Sequence, residues 1–220
     1  MPSLNVKKTL KINEIFYSIQ GESTLAGLPT VFVRLTACNL RCTYCDTTYS
    51  YYEGQNFEVH EVLEKIQSFG ARAVCVTGGE PLLQKNILPL ISQLCDLNYT
   101  VSIETSGSID CKDVDLRAKL VIDVKTPDSG AADSFVFENL KLPHRDVEFK
   151  FVICSERDLE WSENFCRQHQ IFEKFIVLYS PSYRNLDARW LAEKILQKKS
   201  TARLQLQLHK YIWSHETRGV

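Results

Sequence analysis

The chain has 220 residues, of which 44% are hydrophobic and 24% are charged, a composition that fits a folded protein and excludes a largely disordered one. With 26 basic and 27 acidic residues the formal net charge is -1, so we expect no broad attraction to nucleic acid or to an anionic membrane surface. A polar start and the lack of any apolar run of ~18 residues predict a cytoplasmic protein without a membrane span. The length predicts one domain over residues 1–220, and the balanced charge favours a small-molecule substrate.

Short β-type runs recur along the chain and alternate with helical patterns. Strands are predicted over residues 10–17, 30–36, 73–77, 99–104, 119–124, 147–153, 174–179 and 202–208, and many of these runs are continuously apolar. Apolar residues at helical spacing predict helices over residues 59–69, 87–94 and 191–196, and Ser155 with Asp158 predicts a capping box that opens another helix. This alternation predicts a mainly parallel α/β sheet with fewer helices than strands. Because a complete eightfold barrel typically needs ~250 residues, we expect an incomplete, reduced barrel.

Three cysteines lie close together in the segment that follows the second predicted strand. Residues 38–45 read CNLRCTYC, which spaces Cys38, Cys42 and Cys45 as C-x3-C-x2-C. Iron–sulfur clusters favour thiolate ligands, and three thiolates on a 4Fe–4S cluster leave one iron open to chelate the amino and carboxylate groups of S-adenosylmethionine (SAM). Structural zinc usually takes four ligands, and the next Cys or His is His60, beyond a helix-forming stretch, so we favour the cluster. The other cysteines are expected to be core or inert residues: Cys75, Cys95, Cys111, Cys154 and Cys166.

A second motif follows the third predicted strand, where residues 77–81 read TGGEP. Gly78 and Gly79 lack side chains, which lets their backbone approach a ligand closely. Glu80 is suited to accept a charge-assisted hydrogen bond from an ammonium group. A Gly-Gly pair alone is weak evidence for a binding site, because turns use it often. Its place after a strand and beyond the cysteine segment makes a ligand-binding turn the stronger interpretation.

Polar residues also end the next two predicted strands, as Glu104 and Ser106 in ETSG and Asp123 and Lys125 in DVK. Ligands of parallel α/β sheets bind where strands end and loops begin, so these side chains are candidates for the same site. The simpler interpretations are an ion pair of Lys125 with Asp123 or Asp128, and a turn at Ser106.

The cysteine segment and the TGGEP motif together resemble the radical SAM superfamily. Tyr44, just before the third cysteine, matches the aromatic position that this superfamily places beside the adenine of SAM. The resemblance implies that the Gly-Gly-Glu turn receives the SAM amino group and that polar strand ends line the SAM ribose and carboxylate. The implied SAM-binding residues are Tyr44, Thr77, Gly79, Glu80, Glu104, Ser106, Asp123 and Lys125. The implied fold is α/β, an incomplete, reduced radical-SAM-type (βα) barrel with fewer helices than strands.

Further sequence blocks narrow the resemblance. Residues 15–22 read IFYSIQGE, 32–35 read FVRL and 206–213 read LQLHKYIW, the chain ends in HETRGV, and Asp46 and Thr47 follow Cys45 directly. From residue 15 to residue 220 these blocks resemble the 7-carboxy-7-deazaguanine synthase family. The long insertion that some members carry between the first two cysteines is absent from this sequence.

The resemblance implies a reaction and its cofactors. The family converts 6-carboxy-5,6,7,8-tetrahydropterin into 7-carboxy-7-deazaguanine by a ring contraction that releases ammonia, a carbon–nitrogen lyase reaction that begins with hydrogen removal from C6. The implied cofactors are a 4Fe–4S cluster, SAM and Mg2+. Family members are homodimers, and an electron donor such as flavodoxin or ferredoxin is expected as a partner.

The resemblance also implies which residues contact the substrate and Mg2+. The pterin contacts are Gln20, Gly21, Glu22, Gly78 and His209, and Arg34 holds the substrate carboxylate. Thr47 ligates Mg2+, and in some members the chain end approaches the substrate. The radical comes from SAM, so no side chain is expected as a catalytic group. The simpler interpretations are that Glu22 caps a turn, that Arg34 makes a surface ion pair and that residues 46–48 form a turn.

Other classes of protein stay open at this point. An activating enzyme that makes a glycyl radical on another protein shares the cysteine spacing, but it needs a protein-docking groove and does not need Gln20, Glu22 and Thr47. A plain iron–sulfur electron carrier would not need TGGEP or a SAM pocket, and a structural zinc module is the third alternative. Iron and sulfide content after anaerobic reconstitution separates the zinc module from the rest, and SAM cleavage with dithionite separates the carrier from the enzymes.

Overall fold

The structure, a computed structural model, describes residues 8–143, 146–183, 185–213 and 217–220, and its main feature is one sheet of nine strands. The strands are β1 (Thr9–Ile19), β2 (Pro29–Leu35), β3 (Gln55–Glu58), β4 (Ala73–Gly78), β5 (Thr100–Thr105), β6 (Lys119–Asp123), β7 (Val147–Ile153), β8 (Ile176–Pro181) and β9 (Arg203–Leu204). They lie in the order β3-β1-β2-β4-β5-β6-β7-β8-β9, and β3 and β9 are the two edges of an open sheet in the described part of the chain.

Most neighbouring strands of this sheet are parallel. Only β1 pairs antiparallel, with β2 on one side and β3 on the other. Every neighbouring pair from β2 to β9 is parallel, which confirms the predicted mainly parallel α/β sheet.

Six α-helices accompany the nine strands in the described ranges. They are α1 (Val59–Ser68), α2 (Ile87–Asp96), α3 (Glu156–Gln168), α4 (Ile171–Lys174), α5 (Ala188–Lys198) and α6 (His209–Ile212). The expectation of fewer helices than strands is confirmed there, since only turns connect β5 to β6. Each of these helices is too short or too polar to cross a bilayer.

The core lies around strands that are buried along nearly their whole length. Every residue of β7 is buried, and β4 is buried except at its last residue. Helix α1 buries Val62 and Ile66, and α2 buries Leu90 and Leu94, because these residues repeat along one helix face. Full burial of each such side chain contributes about 1.5–3 kcal/mol.

Most predicted strands shift by one or two residues at their ends, and three differences between the predicted and observed strands have a local reason. Strand β3 was not predicted because its only apolar residue is Phe57, which pairs opposite Leu10 of β1. Strand β9 has two residues, not seven, because the chain leaves β8 after the Gln205 N–H donates to the Tyr179 oxygen at 2.8 Å, and residues 206–208 lead into α6. Strand β8 begins at Ile176, since α4 occupies the preceding residues up to Lys174.

The predicted capping box at the start of α3 forms only in part. The Ser155 hydroxyl accepts a hydrogen bond from the Asp158 N–H at 3.3 Å, as expected for an N-cap. The Asp158 carboxylate accepts instead from the N–H groups of Cys154 and Asp128, each at 3.0 Å. Asp158 therefore ties α3 to the loop after β6.

The carboxyl ends of the parallel strands place the motif loops along one edge of the sheet. Gly78 ends β4, Thr105 ends β5 and Asp123 ends β6, while the cysteine segment follows β2. Because parallel strands end at the same edge, loops that are far apart in sequence are brought together there.

Candidate active site

A cavity of about 720 Å³ is lined by residues from these loops, a volume typical of small-molecule sites (roughly 300–1,000 Å³). It gathers nearly all candidate residues: Gln20, Glu22, Arg34, Cys38, Cys42, Tyr44, Cys45, Thr47, Thr77, Gly78, Gly79, Glu104, Ser106, Asp123, Lys125 and His209. Gly21 and Glu80 are the two candidates outside the cavity wall.

The three motif cysteines lie together in the wall of this cavity. Cys38, Cys42 and Cys45 are half-buried free thiols. Burial raises the pKa of the Cys38 and Cys42 thiols, so a bound metal would have to draw off their protons. In the described residues no three His, Cys, Asp or Glu side chains converge on a point that could hold one metal ion. In a 4Fe–4S cluster each cysteine binds a different iron, so its ligands need not converge in that way.

The Gly-Gly-Glu turn packs directly against the cysteine segment. A Cβ atom on Gly79 would lie 2.3 Å from the Ala37 carbonyl oxygen and 2.7 Å from the Cys38 Cβ. A Cβ atom on Gly78 would lie 2.5 Å from a backbone oxygen of β2. The Glu80 N–H donates to the Ala37 oxygen at 2.8 Å. Glycine is required here because the turn approaches the protein's own backbone as well as the cavity.

Glu80 lies beneath this turn and is completely buried. Its carboxylate accepts hydrogen bonds from the Leu82 N–H at 3.0 Å, the Ser106 N–H at 2.8 Å and the Ser106 hydroxyl at 2.6 Å. The Thr105 hydroxyl lies 2.9 Å from both of its oxygens. Protein donors therefore surround the carboxylate that the sequence suggested for a SAM ammonium group, and Glu80 ties the β4 turn to the end of β5.

A second group of residues leaves buried polar atoms without a protein partner. The Tyr44 hydroxyl and Asp123 Oδ1 are both buried and unbonded within the described part of the chain. Lys125 Nζ lies 3.0 Å from Asp123 Oδ2 and 5.7 Å from the Tyr44 ring centre, so the ion pair of the simpler interpretation exists. Buried polar atoms are normally hydrogen-bonded, and these two atoms suit a polar ligand such as the SAM nucleoside.

A hydrogen-bonded chain of polar side chains lines the cavity beside that group. Gln20 donates to Glu104 Oε1 at 3.2 Å, and its own oxygen accepts from the Glu22 N–H at 3.1 Å. The Thr77 hydroxyl donates to Glu104 Oε2 at 3.2 Å, and Gln207 donates to Glu22 Oε1 at 2.8 Å. Burial raises the pKa of Glu104, and the charge on Glu22 adds to that effect. Side chains from β4, from β5, from the segment after β1 and from the segment before α6 thus share one hydrogen-bonded network.

Helix α6 lies against the loop that carries this network. The Leu208 N–H donates to the Gly21 oxygen at 3.0 Å, and a Cβ atom on Gly21 would lie 2.3 Å from His209 Nδ1. Gly21 therefore acts by letting His209 approach, which explains why it lies outside the cavity wall. Burial lowers the pKa of His209, although Glu22 opposes the change, and the lower pKa favours the neutral imidazole.

Arg34 is held at the end of β2 and is largely buried. Its Nε donates to Glu14 Oε1 at 2.7 Å, and its guanidinium lies 5.8 Å from the Phe16 ring centre. The Arg34 side chain is only 15% exposed, so this ion pair is not the surface pair of the simpler interpretation. The bond to Glu14 uses Nε, whereas the two terminal nitrogens of a guanidinium can bind a carboxylate in a fork.

The end of the chain also reaches the cavity. Residues 217–220 line it, and the Arg218 guanidinium lies 3.7 Å from the Tyr49 ring centre. His215 and Glu216 of the HETRGV block lie outside the described residues.

Sequence reasoning missed Lys150, a lysine in the middle of the apolar strand β7. Its Nζ is bonded to Glu22 Oε2 and lies 3.5 Å from Asp123 Oδ2. The only signal was a pair of charged residues, Glu148 and Lys150, that alternate with apolar ones in the run EFKFVI. Lys210 was quoted only as part of a block, and it pairs with Asp46 beside the cysteine segment.

The sheet with its cysteine and Gly-Gly-Glu loops defines the class of radical SAM enzymes, and the Radical SAM superfamily matches residues 33–127 of this chain. Membership of that class implies a 4Fe–4S cluster and SAM. The three thiols and the unbonded Tyr44 and Asp123 atoms described above fit both groups.

Two relatives identify the family of this chain within the radical SAM class. It is 42% identical to a 7-carboxy-7-deazaguanine synthase of Chlorobaculum tepidum, over 99% of this chain and 100% of the relative. It is 39% identical to a 7-carboxy-7-deazaguanine synthase of Koribacter versatilis, over 96% of this chain and 100% of the relative. The chain belongs to the 7-carboxy-7-deazaguanine synthase family. The fold matches the crystal structure of QueE from Escherichia coli with a TM-score of 0.76 at 22% identity, covering 94% of this chain and 99% of that one.

Proposed function

We propose that this chain converts 6-carboxy-5,6,7,8-tetrahydropterin into 7-carboxy-7-deazaguanine, with ring contraction and loss of ammonia, as a carbon–nitrogen lyase. The observation that carries the proposal is that a single cavity of about 720 Å³ is lined by the cysteine segment and by Gln20, Glu22, Arg34 and His209. A cluster and SAM on one side and a carboxylated heterocycle on the other need these groups in one space.

Cys38, Cys42 and Cys45 would hold the cluster. The unbonded Tyr44 hydroxyl and Asp123 Oδ1 would bind the SAM nucleoside together with Thr77, Gly79, Ser106 and Lys125, all of which line the cavity. When bound, the cluster and SAM supply the radical that removes hydrogen from C6 of the pterin. Glu80 acts on this region indirectly, since its carboxylate is bonded to the protein.

The substrate groups have matching partners on the other side of the cavity. The Glu22 carboxylate accepts hydrogen bonds and the Gln20 amide can both donate and accept, which suits the N–H groups and carbonyl of a pyrimidine edge. Arg34 would bind the substrate carboxylate through its terminal nitrogens. A neutral His209 adds a further donor or acceptor without another charge.

Thr47 would contribute one oxygen ligand to Mg2+. Its hydroxyl lies in the cavity wall, 3.8 Å from Cys45 Sγ. A Mg2+ ion usually keeps several waters and takes few protein ligands beside substrate oxygens, so a single hydroxyl is compatible with the site. The remaining parts of the proposal are one cytoplasmic domain, a homodimer, and a flavodoxin or ferredoxin as electron donor.

The test is anaerobic turnover of reconstituted protein with the carboxypterin, SAM, Mg2+ and dithionite, followed by mass spectrometry. We expect a product that is lighter than the substrate by one ammonia and that requires both SAM and reductant. Reductive SAM cleavage without any conversion of the pterin would leave the radical SAM class intact and overturn the substrate.

A further inference from the structure

Strand β7 carries a buried cation into the cavity. Lys150 is bonded to Glu22 Oε2, and both side chains are only 10% exposed. The same ammonium lies 3.5 Å from Asp123 Oδ2, which also pairs with Lys125. Lys150 is therefore placed between a carboxylate on the pterin side of the cavity and one on the SAM side.

The segment that bears Glu22 is fixed by β7 at a second point. Glu148 lies two residues before Lys150, on the same face of the strand, and accepts from the Thr24 N–H at 3.2 Å. Glu22 Oε1 is held by Gln207 at 2.8 Å. Both Glu22 oxygens thus have partners that fix the side chain, and Lys150 is the charged one.

The charge on Glu22, as well as its position, depends on the contact with Lys150. Burial favours the protonated form of Glu22, but Lys150 and then His209 outweigh it and lower the Glu22 pKa to about 2. Other ionisable groups that interact with Glu22 include Glu104 on β5 and Asp46 of the cysteine segment, and both are acidic. Without Lys150, burial and these acids favour a neutral Glu22, and they are opposed by His209 and the Gln207 amide.

We propose that Lys150 is a positioning residue for the pterin, one that holds Glu22 in place as a carboxylate ready to accept hydrogen bonds from the N–H groups of the pyrimidine edge. This inference rests on the proposed function. It adds a residue that no motif contains and assigns its action to Glu22, without requiring Lys150 to touch the substrate.

The first test measures pterin binding by equilibrium dialysis, without turnover. Lys150→Met should raise the pterin Kd about 10- to 100-fold near pH 6, the loss expected for a charge-assisted hydrogen bond. The ratio of variant to wild-type Kd should fall as the pH rises toward about 8.5, because Glu22 ionises again in the variant. Lys150 also lowers the His209 pKa, so the same ratio is measured in the Glu22→Gln background, where Glu22 can no longer titrate. Lys150→Arg keeps the charge and should retain most of the affinity.

A buried carboxylate without its partner destabilises the fold, so a second variant is needed to separate misfolding of Lys150→Met from a loss of pterin binding. Glu22→Gln removes the charge and should weaken pterin binding by itself. Lys150→Met added to Glu22→Gln should change the Kd less than about 3-fold further, because no carboxylate remains to be held.

The matched control is Lys119→Met, which removes another buried lysine, one that is bonded to Glu148 at 2.8 Å and does not contact Glu22. It should lower the unfolding temperature, and any loss of affinity that it causes through Glu148 should leave Glu22 ionised, so its Kd ratio should not fall as the pH rises toward about 8.5. The proposal would be overturned if the Kd increases of the two single variants multiplied in the double variant. It would also be overturned if Lys150→Met had the wild-type Kd at every pH. A wild-type protein that does not bind the pterin would instead overturn the proposed function.

Discussion

Replacing Glu80 by Gln tests whether this residue supports the site from within the protein. The carboxylate is fully buried, and a backbone N–H points at each of its oxygens, Leu82 at Oε1 and Ser106 at Oε2. A glutamine has the same shape, but its NH2 group cannot accept a hydrogen bond. In either orientation the amide therefore sets a donor against a backbone donor.

The magnitude follows from these contacts. A buried N–H left unpaired costs about 1–3 kcal/mol, and the remaining bonds lose the benefit of a charged acceptor, about 1 kcal/mol more. For a chain of this length each kcal/mol lowers the unfolding temperature by about 2–4 °C, so Glu80→Gln should lower it by about 4–16 °C. The assay is thermal unfolding followed by circular dichroism, without SAM or cluster. The same exchange at the exposed Glu64 of α1 is the control and should stay within about 0.5 kcal/mol.

The affinity for SAM separates the two roles of Glu80. Because its oxygens are bonded to protein groups, SAM affinity of the folded variant should change less than about 3-fold, well below the loss of a charge-assisted bond. An unchanged unfolding temperature with a tenfold or larger loss of SAM affinity would refute the reasoning and restore a direct contact.

Four further predictions concern residues in the cavity wall. Cys42→Ala should abolish the brown chromophore and turnover, whereas Cys166→Ala, in the core of α3, should keep both, as judged by absorption spectra and iron content. Gly79→Val forces side-chain atoms against the cysteine segment, so it should reduce both cluster content and SAM affinity; normal values for both would contradict the packing argument. Thr47→Ala should weaken the Mg2+ dependence of turnover while reductive SAM cleavage stays largely intact, and an unchanged Mg2+ titration would remove Thr47 from the proposal. Arg34→Ala should raise the KM for the carboxypterin about 10- to 150-fold, and Arg34→Lys should recover only part of the loss. A pterin without the carboxylate should bind wild type and Arg34→Ala equally poorly. If Arg34→Ala still prefers the carboxypterin over this analogue as strongly as wild type does, another residue binds the carboxylate.

The central strands were predictable because each is a short apolar run that ends in a recognisable loop. Strands β4 and β7 illustrate this, since nearly all of their residues are buried. Strand β3 could not be found in this way. It is an edge strand that forms through its backbone ladder with β1, and its side chains are mostly polar.

The site was predictable where its residues are neighbours in the sequence. The cysteine spacing and the TGGEP motif are local, and the fold brings both to one cavity. The contact of Lys150 with Glu22 spans 128 positions, and no local pattern announces it. The sequence also cannot show what a glycine approaches: Gly79 lies against the Ala37 oxygen of the cysteine segment.

A cavity that holds both SAM and the pterin lets hydrogen pass directly from C6 to the 5′-deoxyadenosyl group, as the proposed function requires. The most direct measurement is anaerobic turnover of carboxypterin deuterated at C6, with mass spectrometry of that group in SAM and in 5′-deoxyadenosine. We predict that deuterium appears there together with 7-carboxy-7-deazaguanine. Formation of the product with no deuterium in the 5′-deoxyadenosyl group would contradict direct hydrogen transfer in one cavity, and no product at all would contradict the proposed reaction.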